Sequence, residues 1–273
     1  MRIAVTGYNG LLGRALLHQL PENHTVFPFS INGRKIDITN QEEIMLGLKE
    51  INPDIIINCA AYTDVDGAEH KIQESSLVNS IGVYILRKCF RGKIVQISTD
   101  YIFDGLSGPY KEDDIPNGKG IYGLTKLTGE KQVYDSDLII RTTVLYGHGK
   151  QNFVSSVVEK LNNGESVELP ENLIGTPTYT PHLAEAIYRA IELNLCGVLN
   201  IVGSSLLSRY EMGKIIAKKL KVSPAFVSPV TIDCNTHRPL KAGLITDKAK
   251  ELSIPIYTFN QGLNEYLKRE GSV

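Results

Sequence analysis

The segment AVTGYNGLLGRALL, residues 4–17, decides the fold of this chain because three regularly spaced glycines separate an apolar run from a helical pattern. Their spacing is G-x-x-G-x-x-G, directly after a predicted strand and at the mouth of a predicted helix. Glycines there allow a tight turn, close approach of a diphosphate and close packing of helix on strand, while the helix N-terminus favours negative charge. We therefore predict a dinucleotide-binding turn rather than a purely structural one. The residues predicted to contact the cofactor in this turn are Gly7, Asn9, Gly10, Leu11 and Leu12.

Short β-branched runs alternate with helical patterns through the first half of the chain. The predicted strands cover 2–5, 25–29, 54–60, 93–98 and 138–141, and the predicted helices cover 10–20, 40–51, about 64–91 and 121–134. This alternation is typical of βαβ units, so we predict an α/β fold with a Rossmann-type, doubly wound parallel sheet. Asn40, followed three residues later by Glu43, predicts a capping box at the start of the second helix.

The regular alternation of strand and helix patterns ends after residue 146. Helical patterns at 152–164, 181–195 and 209–220 surround one strand pattern at 197–203, and the segments 223–230 and 259–269 follow. We predict a dinucleotide-binding domain at 1–146, which carries the catalytic residues, and a smaller α/β substrate-binding domain at 147–273. An interleaved boundary between the two is left open.

Composition and charge favour work on a small molecule. The chain has 273 residues, a net charge of -1 and a pI near 6.6, so nothing indicates binding to nucleic acid. No apolar stretch approaches the roughly 18 residues of a membrane span, and no leader is recognisable, so we expect a cytoplasmic protein without a membrane partner. The histidines lack metal-binding spacing, and we predict no metal. The four cysteines, which we expect to be reduced core thiols, are Cys59, Cys89, Cys196 and Cys234.

The end of the second strand bears on the choice between NAD and NADP. An NAD-selective site usually carries an acid there, but this chain has Ser30, followed by Arg34 and Lys35. The two cations could bind a 2'-phosphate, which slightly favours NADP(H), with NAD(H) as the alternative. These residues could also form a solvated loop that does not contact the cofactor. Asp37 and Ile38 could border the adenine, by analogy with related folds.

Four tyrosines are followed by a lysine four residues later. The pairs are Tyr84/Lys88, Tyr122/Lys126, Tyr146/Lys150 and Tyr210/Lys214. Only Tyr122/Lys126 is predicted on a helix that follows a strand end carrying hydroxyls, in the sheet that holds the glycine turn. We expect Tyr84 to pack against the sheet, Tyr146 to lie outside a helix and Tyr210 to be a surface residue.

Tyr122, Lys126 and Thr99 together suit reduction of a ketone. Hydride transfer to a ketone leaves an alkoxide that needs a proton, and a free phenol, with a pKa of about 10, is a poor donor at neutral pH. Lys126, one helical turn on, is predicted to lower the pKa of Tyr122 and to hydrogen-bond the nicotinamide ribose. Thr99 is predicted to donate to the carbonyl oxygen of the substrate.

These features resemble extended short-chain dehydrogenase/reductases and, more narrowly, the dTDP-4-dehydrorhamnose reductases. The matching motifs are GYNGLLG, NCAAYTDVDGAE, VNS, STDYIFDG, YGLTKLTGE, RTTVLYG, GTPTYTPHLA and HRPLKAGL. The resemblance implies NAD(P)H-dependent reduction of the 4-keto group of a dTDP-linked deoxysugar, with Thr99, Tyr122 and Lys126 as the catalytic residues. It also implies a cofactor-lining segment after the third strand, formed by Asn58, Cys59, Ala60, Ala61 and Tyr62.

A substrate side follows from the same resemblance. Its predicted residues are Thr63, Asp64, Asp100, Tyr101, Val144, Tyr179 and Arg238. Arg238 suits a diphosphate because its fork donates two hydrogen bonds, with a surface ion pair as the alternative. For Tyr179 the alternative is aromatic packing. The acids at 64, 66 and 69 could hold a cation, but a favourable position near a helix start is preferred.

Three departures from the family pattern lie on the substrate side. Val144 stands where tryptophan is common, residues 172–173 read Asn-Leu instead of Asp-Gln, and residues 241–242 read Lys-Ala instead of Asn-Ser. The cofactor and catalytic motifs are intact. The chain contains no tryptophan, so a large aromatic platform near the sugar is missing.

Two other functions stay open at this point. One is a non-catalytic, NADP-binding regulatory subunit that resembles the beta subunit of methionine adenosyltransferase; the intact catalytic residues disfavour it. The other is a sibling epimerase or dehydratase, disfavoured because Asp100 is followed by Tyr101 and not by a second acid. The oligomeric state is not fixed by the sequence, and a homodimer is one option.

Overall fold

Strands and helices alternate through the chain in a computed structural model that describes residues 1–233 and 238–269. The strands are β1 (Arg2–Thr6), β2 (Thr25–Pro28), β3 (Ser30–Ile31), β4 (Arg34–Lys35), β5 (Ile55–Asn58), β6 (Lys93–Thr99), β7 (Leu138–Thr142), β8 (Leu145–Tyr146), β9 (Val167–Pro170), β10 (Ile174–Gly175), β11 (Thr178–Tyr179), β12 (Gly197–Asn200), β13 (Leu207–Ser208) and β14 (Val227–Val230). The α-helices are α1 (Leu11–His18), α2 (Gln41–Ile51), α3 (Val65–His70), α4 (Ile72–Ser76), α5 (Gly82–Cys89), α6 (Ile121–Glu130), α7 (Phe153–Asn162), α8 (Thr180–Glu192), α9 (Arg209–Leu220), α10 (Asp247–Glu251) and α11 (Phe259–Arg269). A π-helix covers Leu77–Ile81, and 3-10 turns cover Asp100–Ile102 and Pro224–Phe226.

Six parallel strands form the central sheet, in the order β12-β7-β6-β5-β1-β2. The chain leaves β1 toward β2 on one side and returns to β5 on the other, so the strand order reverses between β1 and β5. Ligands of open α/β sheets bind outside the carboxyl ends of the strands at such a reversal. The predicted doubly wound parallel sheet is confirmed, and its topology directs attention to the glycine turn after β1.

Helices cover both faces of this sheet because its strands are apolar on both sides. Ile3 and Val5 point into a core shared with α1 and α8, whereas Ala4, between them, points into a second core shared with α2 and α5. A third core, beside the sheet, joins α7, α9 and α11 to the paired strands β9 and β14.

The second half of the chain also contributes to the central sheet. Strand β12 pairs with β7, and Leu183 and Ile187 of α8 pack in the same core as Leu16 of α1. The chain therefore returns to the first-half sheet after residue 147.

Local structure differs from the sequence predictions in two places. The predicted helix over about 64–91 is broken into α3, α4, the π-helix and α5. At the start of α2, Asn40 accepts hydrogen bonds from the backbone of 42 and 43, as an N-cap should. The reciprocal half of the capping box is wrong, because the Glu43 carboxylate accepts from Arg34 and from the backbone N–H of Asp37 instead.

Two expectations about single side chains also need correction. Tyr84 does not pack against the sheet: its side chain is 51% exposed on the outer face of α5. Cys59 and Cys89 are half-buried free thiols, but Cys196, also free, is exposed. Cys234 lies outside the described residues.

Candidate active site

A cleft of about 560 Å³ opens at the carboxyl ends of β1, β5, β6 and β7. Most of the predicted site residues line it, although they come from five separate stretches of the chain. Those that line it are Gly7, Asn9, Gly10, Leu11, Leu12, Cys59, Ala60, Ala61, Thr63, Thr99, Asp100, Tyr101, Tyr122, Lys126 and Val144. Those outside its lining are Ser30, Arg34, Asp37, Ile38, Tyr62, Asp64, Tyr179 and Arg238.

The glycine turn forms one wall of the cleft. Gly7 has φ +59°, and a Cβ added there would lie 2.7 Å from the backbone of Cys59 and Ala60, at the end of β5. Only glycine permits both this backbone conformation and this close approach. Gly10 is the N-cap of α1 and offers no side-chain cap, so the first N–H groups of the helix are left for another acceptor. The wall is therefore suited to a diphosphate.

A buried polar chain ties this turn to the lysine. Thr6, Asn58 and Gln96 stand side by side on three neighbouring strands, where Thr6 Oγ1 donates to Asn58 Oδ1 at 2.5 Å and Asn58 Nδ2 donates to Gln96 Oε1 at 2.7 Å. Gln96 Nε2 and Lys126 Nζ both donate to the carbonyl oxygen of Ile97, at 2.9 and 2.7 Å. The ammonium group is thus fixed by the strand ends.

Tyr122 faces the end of β6 because α6 packs unusually close to the turn that follows it. A Cβ on Gly123 would lie 2.0 Å from the carbonyl oxygen of Tyr101, so no larger residue fits at 123 without displacing the helix. The rings of Tyr101 and Tyr122 meet edge to face, with centroids 5.5 Å apart. Thr99 caps the same turn, where its Oγ1 accepts from the N–H of Tyr101 at 3.2 Å.

Neighbouring polar groups hold α6 in this position. Glu69 accepts a hydrogen bond from the N–H of Ile121, at the start of α6, at 2.8 Å. Asn79 Nδ2 donates to Thr125 Oγ1 on α6 at 3.1 Å, and its Oδ1 accepts from the N–H of Tyr62 at 2.8 Å. Tyr62 thus contributes its backbone to the support of α6.

The pKa of Tyr122 in the Tyr122/Lys126 pair differs from the sequence prediction. Burial raises the pKa of Tyr122 above its ordinary value of 10.0, the nearby Tyr101 and Asp100 act in the same direction, and a hydrogen bond with Thr99 opposes them. The predicted lowering by Lys126 is therefore wrong for this structure, because the ammonium is directed to the carbonyl of Ile97. Burial also lowers the pKa of Lys126 from 10.5 to about 8, an effect that the carboxylate of Glu130 opposes.

The residues after the second strand form a small hairpin, in which β3 pairs with β4. Arg34 is mostly exposed and forms an ion pair with Glu43 at 2.7 Å. Lys35, paired in register with Ser30, is the cation of this hairpin that lines the cleft. Asp37 accepts hydrogen bonds from the N–H and hydroxyl of the residue two positions on, and Ile38 is buried.

The predicted substrate residues separate into two groups. Asp100, Tyr101 and Val144 line the cleft beside Thr99, and Thr63 lines it near the end of β5. Tyr179 is instead buried against Tyr146, with ring centroids 5.3 Å apart, so the aromatic-packing alternative describes its position.

The acids near the start of α3 have separate contacts. Asp64 is the N-cap of α3, where it accepts from the N–H of Gly67 at 2.9 Å. Asp66 forms an ion pair with Arg238 at 2.5 Å, and Arg238 also donates to the hydroxyl of Tyr101 at 3.4 Å. Arg238 therefore lies behind Tyr101, one side chain away from the cleft lining.

Several residues that line the cleft were not among the predicted site residues. Lys150, Gln151 and Asn152 line the cleft from the loop after β8, and Ser98 and Thr142 present buried hydroxyl oxygens that have no hydrogen-bond partner in the described chain. The one available signal was the pair of glycines at 147 and 149, since they favour a loop and loops at strand ends carry ligands. Arg209, at the start of α9, lies near Asp100 and Tyr101 although it is more than 100 residues away in sequence.

Within residues 1–233 and 238–269, no cluster of three or more histidines, cysteines and acids could hold a metal ion. The same ranges contain no helix with the length and apolar character that crossing a membrane requires.

Comparisons with known proteins agree with this geometry. The family model described as RmlD substrate binding domain matches residues 1–271. The chain is 31% identical over 281 residues to the spore coat polysaccharide biosynthesis protein SpsK of Bacillus subtilis, covering 99% of this chain and 98% of that protein. It is 30% identical to the dTDP-4-dehydrorhamnose reductase of Aggregatibacter actinomycetemcomitans, with 84% of each covered. A crystal structure of the dTDP-4-dehydrorhamnose reductase of Bacillus anthracis in complex with NADP has a TM-score of 0.90 and 30% identity, covering 98% of this chain and 99% of that one.

Proposed function

The chain belongs to the RmlD substrate-binding domain family, and from that premise we propose that it reduces the 4-keto group of a dTDP-linked deoxysugar with NADPH. One observation carries the proposal: the cleft brings the glycine turn, Thr99, Tyr122 and Lys126 to the same edge of the sheet. The reaction proposed is that of a dTDP-4-dehydrorhamnose reductase, in the synthesis of dTDP-L-rhamnose.

The residues of the cleft fit a nicotinamide dinucleotide. The uncapped start of α1 would take the diphosphate, and Lys35 is the cation available for a 2'-phosphate, which supports NADP(H) over NAD(H). The orphaned hydroxyl oxygens of Ser98 and Thr142 lie where polar groups of a ligand could satisfy them. When bound, the cofactor supplies the hydride that reduces the carbonyl carbon.

The side chains of this protein would then control the oxygen of the carbonyl. Tyr122 would donate its phenolic proton to that oxygen as it gains negative charge. Thr99 would donate a second hydrogen bond to the same oxygen. Lys126 would orient the cofactor ribose.

The substrate side is assigned to residues around Tyr101. Thr63, Asp100, Tyr101 and Val144 would contact the sugar, and Arg238 the diphosphate. A cofactor-binding domain at 1–146 and a substrate-binding domain at 147–273 stay predictions from the sequence. A homodimer and a cytoplasmic location stay predictions from the sequence.

Among the candidate functions, the relatives favour the reductase over the regulatory subunit. The curated relative from Aggregatibacter actinomycetemcomitans carries the reductase name. The catalytic side chains that a regulatory subunit could lose are all present here.

The proposal is tested by mixing the purified protein with NADPH and dTDP-4-dehydro-L-rhamnose and following cofactor oxidation. We expect turnover by the wild type and a loss of about 100-fold or more in Tyr122→Phe, because the proton donor is removed while the ring is kept. Tyr84→Phe, a change in the exposed member of another Tyr/Lys pair, is the matched control and should leave the rate unchanged. Unaltered turnover in Tyr122→Phe would refute the assignment of the proton donor.

A further inference from the structure

Arg209 is a charged residue that neither the sequence analysis nor the proposed mechanism uses. It is the first residue of α9, and its Cζ lies 5.2 Å from the centroid of the Phe153 ring, so the aromatic face supports the guanidinium. Its Nη1 is enclosed and makes no hydrogen bond with any residue in 1–233 or 238–269. An enclosed donor without an acceptor destabilises the fold, and a charged donor does so more than a neutral one. Such a cost is accounted for if a ligand supplies the acceptor.

The enclosed nitrogen lies beside the substrate end of the cleft. A Cβ placed on Gly175 would be 3.0 Å from Cγ2 of Val144 and 3.9 Å from Nη1 of Arg209, so all three residues border one small space. Val144 lines the cleft and has φ +46°, a backbone conformation that is strained for a β-branched residue. Strain of this kind persists where the surrounding structure fixes it, and it is concentrated at ligand sites.

A second guanidinium lies close to the first. Arg238 donates to the hydroxyl of Tyr101, and Arg209 is near enough to Tyr101, Asp100 and Arg238 for their charges to act on it. Burial lowers the pKa of Arg209, and repulsion from Arg238 adds to that effect. Two neighbouring cations are stabilised by an anion that contacts both.

The carboxylates of the described residues do not fully neutralise the two guanidinium groups. Arg238 has Asp66 as its ion-pair partner, but Arg209 has no carboxylate oxygen within 4.0 Å among the described residues. Asp100 is the nearby acid, and burial raises its pKa, while hydrogen bonds from Thr143 and Thr99 and the charge of Arg209 oppose that rise. The pair of guanidinium groups therefore retains capacity for a further anion.

We propose that Arg209 binds a phosphate oxygen of the nucleotide-sugar diphosphate, acting together with Arg238. This inference rests on the proposed function, because it takes the substrate to be a dTDP-linked sugar. Arginine suits the role since its planar fork donates to two oxygens of a diphosphate at once. Arg209 would thus set affinity for the diphosphate, and Phe153 would hold its guanidinium plane.

Binding of dTDP, which has the diphosphate but no sugar, tests this role without requiring turnover. Isothermal titration in the presence of NADPH should give a Kd for Arg209→Met that is about 10- to 100-fold above that of the wild type. Arg209→Lys, which keeps the charge but loses the fork, should show a smaller rise. Arg189→Met, which removes an arginine on the outside of α8 that pairs with Glu192, is the matched control and should bind dTDP normally.

Two further measurements separate binding from folding. The Kd for NADPH and the thermal midpoint should be unchanged in Arg209→Lys, and KM for the keto sugar should rise more than kcat falls. An unchanged Kd for dTDP in Arg209→Met would overturn the inference and leave the proposed function intact. A wild type that binds NADPH but not dTDP would instead overturn the proposed substrate and the inference with it.

Discussion

At the scale of single residues, the site depends on two groups whose protonation is set by burial in opposite directions. Burial keeps the proton on Tyr122 and weakens the hold of Lys126 on its own proton. Glu130 is buried one turn beyond Lys126 and forms an ion pair at 2.9 Å with Arg141, so its carboxylate is fixed where it favours the charged lysine. The lysine is thus a functional group kept at a cost in stability.

That cost predicts a pH-dependent effect of Lys126→Met on thermal stability. The folded-state pKa of about 8 lies below the ordinary value of 10.5, so the folded state binds the proton less tightly than the unfolded chain does. The penalty is fully present below about pH 8 and disappears as pH rises toward 10.5. We expect the thermal midpoint of Lys126→Met at pH 7 to exceed that of the wild type by about 2–4 °C or more.

The measurement is a series of thermal unfolding curves between pH 6.5 and 10. Lys88→Met, in the exposed pair on α5, serves as the control and should show no such gain. A Lys126→Met variant that is less stable than the wild type at pH 7, or equally stable at all pH values, would contradict the burial argument.

At the scale of elements, the cofactor site depends on how closely two strand-end loops approach each other. The turn after β1 touches the backbone at the end of β5, and the polar chain from Thr6 to Gln96 continues this contact across three strands. The glycine turn could be predicted from the sequence, because the spacing of its three glycines is a local feature. The partner segment could be proposed only through the family resemblance.

Gly7→Ala is predicted to lose both stability and affinity for NADPH. The new Cβ would meet the backbone of Cys59 and Ala60 at 2.7 Å, in addition to the strain of φ +59°. We expect a loss of more than about 1 kcal/mol in the free energy of unfolding and a weaker Kd for NADPH.

Gly164→Ala isolates the backbone strain in that experiment. Gly164 has φ +73°, but an added Cβ would have no heavy atom within 4 Å. Chemical denaturation and NADPH titration of both variants should show that only Gly7→Ala weakens cofactor binding and that it destabilises the protein more. Equal effects of the two substitutions would contradict a role for the close approach of Gly7 to Cys59 and Ala60.

At the scale of the whole molecule, the limits of sequence reasoning follow from contacts between distant segments. The parallel sheet could be predicted because β-branched runs and helical patterns alternate locally. The orientation of Lys126 could not, because it depends on the carbonyl of Ile97 in a neighbouring strand. Arg209 could not be found either, since only folding brings the start of α9 near Asp100. Tyr84 was placed wrongly because periodicity does not show which helix face is covered.

The same long-range contacts predict that residues 1–146 do not fold alone. Such a fragment lacks β12, the edge partner of β7, and loses Leu183 and Ile187 from the core that also contains Leu16. We expect the fragment to show no cooperative thermal transition by circular dichroism, whereas the full chain should show one. A cooperative transition in the fragment would mean that the first half is an independent domain.

The most direct test of the central claim, that this cleft passes a hydride from NADPH to a sugar ketone, is an isotope transfer. NADPH with both hydrogens at C4 of the nicotinamide replaced by deuterium is incubated with the protein and dTDP-4-dehydro-L-rhamnose. The sugar product is then examined by NMR. We expect one deuterium at C4 of the sugar with the wild type and about 100-fold slower incorporation with Tyr122→Phe. A sugar that is recovered without deuterium, or deuterium at another carbon, would contradict it.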